Sequence, residues 1–530
     1  MLKKNIKTRG SISTIKRFFI QHKFLLSIML IAACARFILL GSLPDGVYPD
    51  EAYNAYNTWS MMVEGIDSRG YHAPVYFIAW GSGMNVLYAY LALPFFRLFG
   101  ASLFVFRLPQ ALVSLAGVAA FYVLGRECFD KATGYLMAFA LAINPWSIMN
   151  ARFGLESTLA PYMILFTLTF FVLGLKKKAN YLYLSAVFMA ASLYSYSLTW
   201  IALPIILILV LLLYWKSIPF KPVTFISAFM LLLAAVPLLL FLAVNLGYLP
   251  EITTPFLSIP KLEAFRSSEL SLQNLLGNIT TVLDTLTRQY DNHAHTASPI
   301  TGAYYLFTTP FFLLGIILHI GKLIKKHNHG NNELQYIFCV WLVSALIVAL
   351  LQTTVTMTHI NLIHIPVIFY GIYGIIQTAR YTRCHVIVPA CVFFFSISFI
   401  VFFYNYATSV DTHFYNTDVI EALEEAQELA APDQTITIVG YQTIQCGAWM
   451  WYERPLPSDF CANVTYIDDP AWGQIGTYGQ YEYVFSIDMI TKEDIYICPN
   501  SKAFYEILTD MDLTIIQLNE RYLIAYSSVP

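Results

Sequence analysis

Long apolar stretches separated by short charged hinges dominate the chain from Phe24 to Tyr404. A membrane-spanning helix needs about 20 mostly apolar residues, and these stretches have that length. The first stretch follows a basic leader, residues 1–23, and no small-residue cleavage site precedes the next acidic sequence. We therefore expect a retained helix there rather than a cleaved signal peptide. The predicted spans are 24–41, 105–125, 131–149, 157–175, 180–196, 199–215, 221–245, 301–320, 334–352, 360–378 and 385–404.

The basic hinge residues decide the predicted orientation of these eleven spans. The stretch 83–99 is short for a span and contains Pro94 and Arg97. If it lies on the membrane surface, every basic hinge falls on the same side, as the positive-inside rule requires. We therefore predict a juxtamembrane helix at 83–99 on the outer face. Two long outer loops, 42–104 and 246–300, and the C-terminus share that face.

From residue 405 onward the composition is that of a soluble domain. The last 120 residues carry 19 Asp and Glu against four Lys and Arg. A polar helix at 417–430 precedes strand-like segments at 435–441, 481–487 and 513–527. This pattern predicts a small extracytoplasmic α/β domain over 405–530. In an oxidising compartment two of its three cysteines could pair, and the connectivity stays open. These cysteines are Cys446, Cys461 and Cys498.

Composition narrows the class of protein further. Hydrophobic residues make up 57% of the 530 residues and charged residues 12%, which is about half the charge of a soluble globular protein. This excludes a soluble enzyme and a disordered regulator. The net charge of -2 offers no basic surface for nucleic acid. The architecture that remains is a polytopic α-helical membrane domain over 24–404 with the C-terminal domain attached.

The first outer loop opens with two adjacent acids, Asp50 and Glu51, after Pro49. One interpretation is a helix start, because acids in a first turn complement the helix dipole. The other is a general base or a metal ligand beside a membrane-embedded substrate. Neighbouring side chains on a helix point about 100° apart, so only one of the two carboxylates would reach a reacting atom.

Other polar residues are predicted to face the same side of the membrane. His72 precedes an aromatic-rich interfacial segment that contains Trp80. Arg152 and Glu156 are four residues apart and share a face if helical. They form either a structural ion pair or a site in which the planar guanidinium binds phosphate. His359 lies in a very short outer turn. It is either a structural histidine that hydrogen-bonds a neighbour or part of an active site on the same membrane face as Asp50 and Arg152.

The second long outer loop carries a further group of candidates. Arg266, Tyr290 and Asp291 are candidate headgroup or acceptor contacts. His293 and His295 are two apart, a spacing that suits a metal on a strand or loop but is common among surface histidines.

Several motifs, taken in order, resemble the GT-C fold, polyprenyl-phosphate-dependent glycosyltransferases. These are the acidic motif at 49–51, His72-x-Pro74 ahead of a segment ending at 98–100, FRLPQAL at 106–112 and ARFGLES at 151–157. The group includes protein O-mannosyltransferases and the lipid A aminoarabinose transferase, and the uncharacterised bacterial members look most similar. The resemblance covers about residues 20 to 380. It implies a GT-C catalytic domain in the plasma membrane of a bacterium.

The resemblance implies a role for each matching residue. Asp50 would be the general base for an acceptor hydroxyl, with Glu51 positioning the acceptor. Arg152, His72 and His359 would bind the phosphate of a polyprenyl-phosphate sugar donor. The acceptor would be a protein or a cell-envelope glycan or lipid. No cofactor is implied, and a divalent metal is left open because the family is not uniform in this respect. The candidate substrate contacts are Glu156, Tyr53, Trp80, Asn85, Arg266, Tyr290 and Asp291.

Two rival functions remain at this point. A transporter or flippase of a lipid-linked saccharide would also be polytopic. Transporters commonly mark their pathway with ionisable residues at mid-membrane depth, and the predicted spans contain few of them. No inverted repeat is visible either. The second rival is an inactive membrane scaffold that presents the C-terminal domain, against which the intact polar motifs argue.

Overall fold

A computed structural model describes residues 22–263, 273–291, 296–325, 333–408, 416–440, 442–467, 474–486 and 494–527. Three of the sequence candidates, Arg266, His293 and His295, lie outside the described residues.

The part up to residue 408 is helical. Its helices are α1 (22–37), α2 (Pro49–Val63), α3 (Leu87–Phe99), α4 (Leu103–Cys128), α5 (Lys131–Ile143), α6 (Pro145–Ala151), α7 (Glu156–Lys176), α8 (Tyr181–Ser195), α9 (Thr199–Tyr214), α10 (Pro222–Asn245), α11 (Leu275–Arg288), α12 (Thr309–Lys325), α13 (Ile337–Leu350), α14 (His364–Thr382) and α15 (Ile387–Thr408). Short antiparallel pairs join β1 (Tyr76–Phe77) to β2 (Met84–Asn85) and β3 (Ile252–Thr253) to β4 (Ser258–Ile259).

Many of these helices are apolar enough to lie in a membrane. Within the described residues, six are long and apolar enough to cross one: α4, α7, α10 and α15, with α12 and α14 counted together with the short turns that precede them. Shorter apolar helices include α3, α5, α8 and α9. The protein is therefore a multi-pass membrane protein. The count of eleven spans stays a prediction.

The predicted span 131–149 is broken in the structure. Asn144 adopts an extended conformation with ψ 130°, so α5 ends at Ile143. The Asn144 side chain then caps α6 by accepting a hydrogen bond from the Ser147 N–H, and Pro145 occupies the first turn of α6. Asparagine caps and first-turn prolines are typical of helix starts. The chain therefore begins a new helix at Pro145, and this helix ends at Ala151, just before Arg152.

Residues 416–527 contain a mixed sheet with strand order β6-β7-β5-β8-β10-β9. The middle strand β5 runs parallel to β7 and β8, whereas β10 is antiparallel to β8 and β9. The helices of this unit are α16 (Thr417–Leu429), α17 (Gln442–Glu453), α18 (Pro457–Asn463) and α19 (Lys502–Asp510). The strands are β5 (Ile436–Val439), β6 (Thr477–Tyr478), β7 (Tyr481–Val484), β8 (Ile495–Pro499), β9 (Thr514–Gln517) and β10 (Tyr522–Tyr526).

Two details of this unit differ from the sequence reading. The segment 513–527 forms a hairpin of two strands, because the Asn519 side chain accepts the N–H groups of Arg521 and Tyr522 and turns the chain. Strands β6 and β8 have no counterpart among the predicted strands. All eight cysteines are free thiols, so the structure contains no disulfide between the three cysteines of this unit.

The C-terminal unit packs directly on α2, the helix that begins with the two acids. The Tyr56 hydroxyl donates to the Pro455 carbonyl at 2.8 Å, and Glu64 accepts both the N–H and the hydroxyl of Ser458. Gly447 lies so close to Pro49 that a Cβ there would be 2.9 Å from the Pro49 oxygen. A residue without a side chain is therefore required where α17 crosses the start of α2.

A candidate active site at the start of helix α2

The first turn of α2 separates its two acids into different environments. Pro49 begins the helix, and Asp50 and Glu51 follow in its first turn. Glu51 is fully buried, whereas Asp50 is only partly buried and faces a cavity. This is the divergence that the spacing of adjacent helical residues predicts.

Asp50 lines a cavity of about 140 Å³ together with residues from four other parts of the chain. A second cavity of about 190 Å³ shares Tyr196 and His359 with the first and is also lined by Gln352 and Thr354. The remaining residues around the first cavity are Ala79, Trp80, Ser82, Gly83, Met84, Leu155, Glu156, Ser157 and Thr358.

One wall of this cavity is the tight turn between β1 and β2, residues 78–83, which we call the Trp80 turn. Its backbone adopts the left-handed conformation at two successive residues, with φ of +50° at Trp80 and +77° at Gly81. A Cβ at Gly83 would lie 2.5 Å from the Phe77 oxygen, so only glycine fits there. The result is that the Trp80 indole N–H donates to the Asp50 carboxylate at 2.7 Å. The Trp80 ring also packs against Tyr53, with ring centroids 5.1 Å apart.

Another part of the wall is the start of α7. Glu156 is buried in its first turn, and its carboxylate accepts the backbone N–H of Asn85. The Ser157 hydroxyl is buried and has no hydrogen-bond partner in the described part of the protein. The side-chain amide of Asn85, 1% exposed, likewise lacks a partner within the described ranges. Buried polar groups normally find partners, so the Ser157 hydroxyl, which lines the cavity, is suited to a polar ligand, whereas Asn85 does not line the cavity.

The turn between α13 and α14 supplies His359. Its Nδ1 lies 3.0 Å from the Thr354 carbonyl oxygen, and Gln352 donates to the carbonyl of His359 at 3.0 Å. Asp291 supports the same turn by accepting the Met357 N–H at 2.6 Å. Among the described residues that line the two cavities, His359 is the only one whose side chain can carry a positive charge.

Behind Asp50, a buried ion cluster holds the start of α2 in place. Both Glu51 oxygens accept hydrogen bonds from Arg107, each at 2.8 Å, and both side chains are fully buried. Glu51 also accepts the Gly154 N–H at 2.7 Å. Arg107 donates in addition to the carbonyls of Pro44 and Gly46, so it ties the loop before α2 to α4. The Glu51 carboxylate is engaged within the protein rather than directed into the cavity.

Arg152 belongs to this buried group as well. It is fully buried and donates to the carbonyls of Ala35, Ile38 and Leu43, at 2.6–2.9 Å. These carbonyls lie at and just beyond the end of α1, where helical carbonyls lack intrahelical partners. Arg152 does not line either of the two cavities described above and forms no salt bridge with Glu156 within the described residues.

Three further candidates, His72, Tyr53 and Tyr290, do not line either cavity. His72 is exposed, with its Nδ1 3.2 Å from the Gly65 carbonyl, and it does not line the cavity. Tyr53 lies behind Trp80 and donates to the Ile78 carbonyl at 2.6 Å. Tyr290 packs against the large membrane core next to Asp291. In the described part of the chain, no three His, Cys, Asp or Glu side chains are grouped closely enough to hold a metal ion.

A buried acid shapes the loop that leads to the Trp80 turn. Asp67 is 1% exposed and accepts the backbone N–H groups of Arg69 and Tyr71. Burial raises the pKa of Asp67 to about 6, although these hydrogen bonds act in the opposite direction. Arg69 stacks its guanidinium on the Tyr466 ring of the C-terminal unit, 4.7 Å from the centroid.

Sequence reasoning assigned no role to Arg107, Ser157 or Tyr196. Arg107 lies at the start of an otherwise apolar span, and a charge at such a depth usually has a buried partner. That signal could have paired it with a nearby acid. Ser157 and Tyr196 stand among many similar residues, and only the packing of α7 against the α8–α9 turn brings them to the cavity.

Comparisons with known proteins bear on the fold and on part of the helical region. Residues 84–241 match the family model of dolichyl-phosphate-mannose-protein mannosyltransferase. No curated protein matches the sequence. The structure resembles ArnT from Cupriavidus metallidurans in the apo state, with a TM-score of 0.60 at 12% identity, over 96% of this chain and 98% of that one. The crystal structure of the same ArnT bound to undecaprenyl phosphate matches with a TM-score of 0.55 at 13% identity, over 95% and 98%.

At this identity the likeness to ArnT is one of fold, and it extends over nearly the whole of both chains. The family-model match lies within the helical part and includes the Trp80-turn strand β2, α4 and the start of α7. The outer location of the C-terminal unit, like the count of eleven spans, stays a prediction. Together these likenesses confirm the predicted resemblance of this chain to the GT-C fold, polyprenyl-phosphate-dependent glycosyltransferases.

Proposed function

We propose that the protein is a membrane glycosyltransferase that moves a sugar from a polyprenyl-phosphate donor to an acceptor hydroxyl on the outer face of the membrane. The observation that carries this proposal is the placement of Asp50. Its carboxylate faces a cavity that is also lined by Glu156 and His359, in a chain with the GT-C fold. The donor class is supported by the match of that fold to ArnT bound to undecaprenyl phosphate.

In the proposed reaction, Asp50 is the general base. Its carboxylate takes the proton of the acceptor hydroxyl while the acceptor oxygen bonds to the anomeric carbon of the sugar. The bond from that carbon to the phosphate oxygen breaks, and the lipid phosphate leaves with the electron pair. The Trp80 N–H, 2.7 Å from Asp50, orients the carboxylate for this step. A base on one face and a stabilised phosphate on the other are sufficient for an inverting transfer.

Donor binding is assigned to other residues that line the cavity. His359 can supply positive charge to the phosphate when protonated, and the Ser157 hydroxyl can donate a hydrogen bond. Glu156, which lines the cavity, is assigned to contact the hydroxyl groups of the sugar. Asn85, whose backbone N–H donates to the Glu156 carboxylate, is assigned the same role. Arg152 and Glu51, which the resemblance placed in the site, are instead assigned to support the fold, because their hydrogen bonds are made within the protein. The acceptor would be a protein or a cell-envelope glycan or lipid.

The test is transfer from radiolabelled polyprenyl-phosphate sugars in proteoliposomes. We expect Asp50→Asn to lower transfer by about 10²–10⁴-fold, the usual contribution of a general base. Asp45→Asn is the matched control, since Asp45 is an exposed acid in the same loop and hydrogen-bonds only to its neighbour Gly46 among the contacts described. It should leave transfer unchanged.

Equal activity of Asp50→Asn and wild type would remove Asp50 from the mechanism. A wild-type protein that is well folded and transfers from no lipid-linked donor would overturn the proposed function. Flux of lipid-linked saccharides across the same vesicles would then test the rival transporter.

A further inference from the structure

A short hairpin in the second outer loop presents an exposed aromatic ring on a rigid turn. Strands β3 and β4 are joined by residues 254–257, and Phe256 near the apex is 88% exposed. The turn is closed by hydrogen bonds from the Thr254 N–H and hydroxyl to the Leu257 carbonyl, at 3.1 and 2.7 Å. The Leu257 N–H donates back to the Thr254 hydroxyl at 3.0 Å. The exposed ring is therefore held outward rather than folded onto the protein.

The base of this hairpin is fastened to the end of α10. Asn245, the last residue of α10, donates to the Pro260 carbonyl at 3.2 Å and accepts the Leu262 N–H at 2.7 Å. Ile259 is completely buried in a small apolar cluster with Phe241 and Tyr76. The hairpin therefore cannot move independently of the helix end.

The exposed surface of α10 continues to the tip of the hairpin. Only 17% of the residues in the most apolar stretch of α10 are buried within the protein. This low burial is the pattern of a lipid-facing helix. Beyond its C-terminal end, Leu246, Tyr248 and then Phe256 are exposed as well. Aromatic side chains are enriched at the level of the lipid headgroups, where a ring has both apolar and polar surroundings.

The same hairpin is also bonded to the wall of the cavity. The Val75 N–H donates to the Ser258 carbonyl at 2.9 Å, and the Ser258 N–H donates to the Ala73 carbonyl at 3.3 Å. The next residues, Tyr76 and Phe77, form β1, which pairs with β2 around the Trp80 turn. A continuous hydrogen-bonded ribbon thus runs from the hairpin to the residue that contacts Asp50.

From these contacts we propose that the hairpin is a membrane anchor. Phe256 inserts into the interfacial layer of the bilayer, and the ribbon transmits this attachment to the Trp80 turn, which is thereby held at the level of the lipid headgroups. The partner is the lipid surface itself. Because the turn is already closed by hydrogen bonds, insertion costs little additional backbone entropy. The membrane helices hold the protein in the bilayer, so a single ring only has to position the hairpin.

The test uses an environment-sensitive fluorophore on Phe256→Cys in lipid vesicles, in a protein whose exposed cysteines Cys34, Cys384 and Cys461 are replaced by Ser. We expect blue-shifted emission that is quenched severalfold more strongly by lipids with a nitroxide near the headgroup than by a water-soluble nitroxide. Lys261→Cys, an exposed position at the base of the hairpin, is the matched control and should show the reverse preference.

Water-like emission at both positions in vesicles would overturn the proposal. Blue-shifted emission that lipid nitroxides do not quench would also overturn it, because the ring would then be covered by a protein acceptor or a second copy instead of lipid. Stronger quenching by nitroxides deep in the bilayer than by those near the headgroup would also overturn it. The measurement does not depend on catalysis, so its outcome is independent of the proposed function.

Phe256→Ser and Phe256→Trp provide a second test. In vesicles we expect the serine variant to lose transfer activity severalfold and the tryptophan variant to retain it, and equal activity of the two would contradict the link to the Trp80 turn.

Discussion

Asp50 and Glu51 are chemically similar neighbours in the same turn of α2, and the structure uses them in opposite ways. Glu51 is enclosed with Arg107 and the Gly154 N–H, so its charge is balanced inside the protein. Asp50 receives the Trp80 N–H and faces a cavity. The comparison teaches that the position of Asp50 depends on its buried neighbour, because the Glu51–Arg107 pair fixes the helix start that directs Asp50 towards the cavity.

The basic residues divide in the same way. Arg152 and Arg107 are fully buried and donate to carbonyls at helix and loop ends. His359 lies partly exposed in a turn at the cavity. Guanidinium groups are well suited to bridging several carbonyls at once, which explains why the arginines support the fold and the histidine faces the ligand space.

The largest effect is expected when the buried acid is changed. Glu51→Gln leaves Arg107 as an uncompensated buried charge, which typically costs about 3–5 kcal/mol of stability. We expect a large fall in the thermal unfolding midpoint in lipid nanodiscs, while Asp50→Asn unfolds like the wild type. A Glu51→Gln protein with normal stability and lost transfer activity would reverse the roles given to the two acids.

A comparison of Arg152 with His359 sharpens the same contrast. Arg152→Met should lower stability by about 3 kcal/mol, because three carbonyls lose hydrogen bonds from a charged donor. Any folded fraction should keep the wild-type KM for the donor. His359→Gln should leave stability unchanged and raise the donor KM about tenfold, the equivalent of about 1.4 kcal/mol.

These two variants are compared by thermal unfolding and by steady-state transfer kinetics on the same preparations. A donor KM that rises in Arg152→Met but not in His359→Gln would return the phosphate role to the arginine.

A smaller effect is expected at the residue that orients the base. Trp80→Phe keeps an aromatic ring beside Tyr53 but removes the N–H that donates to Asp50. The loss of about one hydrogen bond, near 1.4 kcal/mol, predicts a roughly tenfold lower kcat. The donor KM should change much less than kcat, and equal changes in both would indicate a general disturbance of the cavity.

The last expected effect is a pH dependence of stability, and it concerns the loop before the Trp80 turn. Since the folded-state pKa of Asp67 is about 6 and its ordinary value is 3.8, the folded protein binds more protons than the unfolded chain between these values. Stability contributed by this group is therefore present at low pH and falls as the pH rises towards 6. Relative to Asp67→Asn, the wild type should lose up to about 3 kcal/mol between pH 4 and 7.

Unfolding midpoints of wild type and Asp67→Asn across this pH range provide the measurement. A difference between the two proteins that does not vary with pH would contradict the raised pKa.

Much of this protein could be predicted from local sequence. Runs of about 20 apolar residues specify membrane helices because lipid leaves no other partner for backbone polar groups. Asp50, Glu156, Trp80 and His359 were all singled out by their polar or aromatic character between such runs, and the structure brings these four to one cavity. The hairpin at 513–527 was read as a single strand because its apolar residues continue on both sides of the Asn519 turn.

What the sequence alone determined is the membrane architecture, the acid pair at the start of α2 and the order of motifs that resemble the GT-C glycosyltransferases. The tertiary structure alone decided which member of each polar set faces the cavity. Glu51 and Arg152 differ from Asp50 and His359 in their partners. Glu51 pairs with Arg107, and Arg152 donates to carbonyls at and just beyond the end of α1, all of which are distant in sequence. Because burial and pairing depend on those distant partners, no local pattern could distinguish a charge that supports the fold from one that faces the cavity.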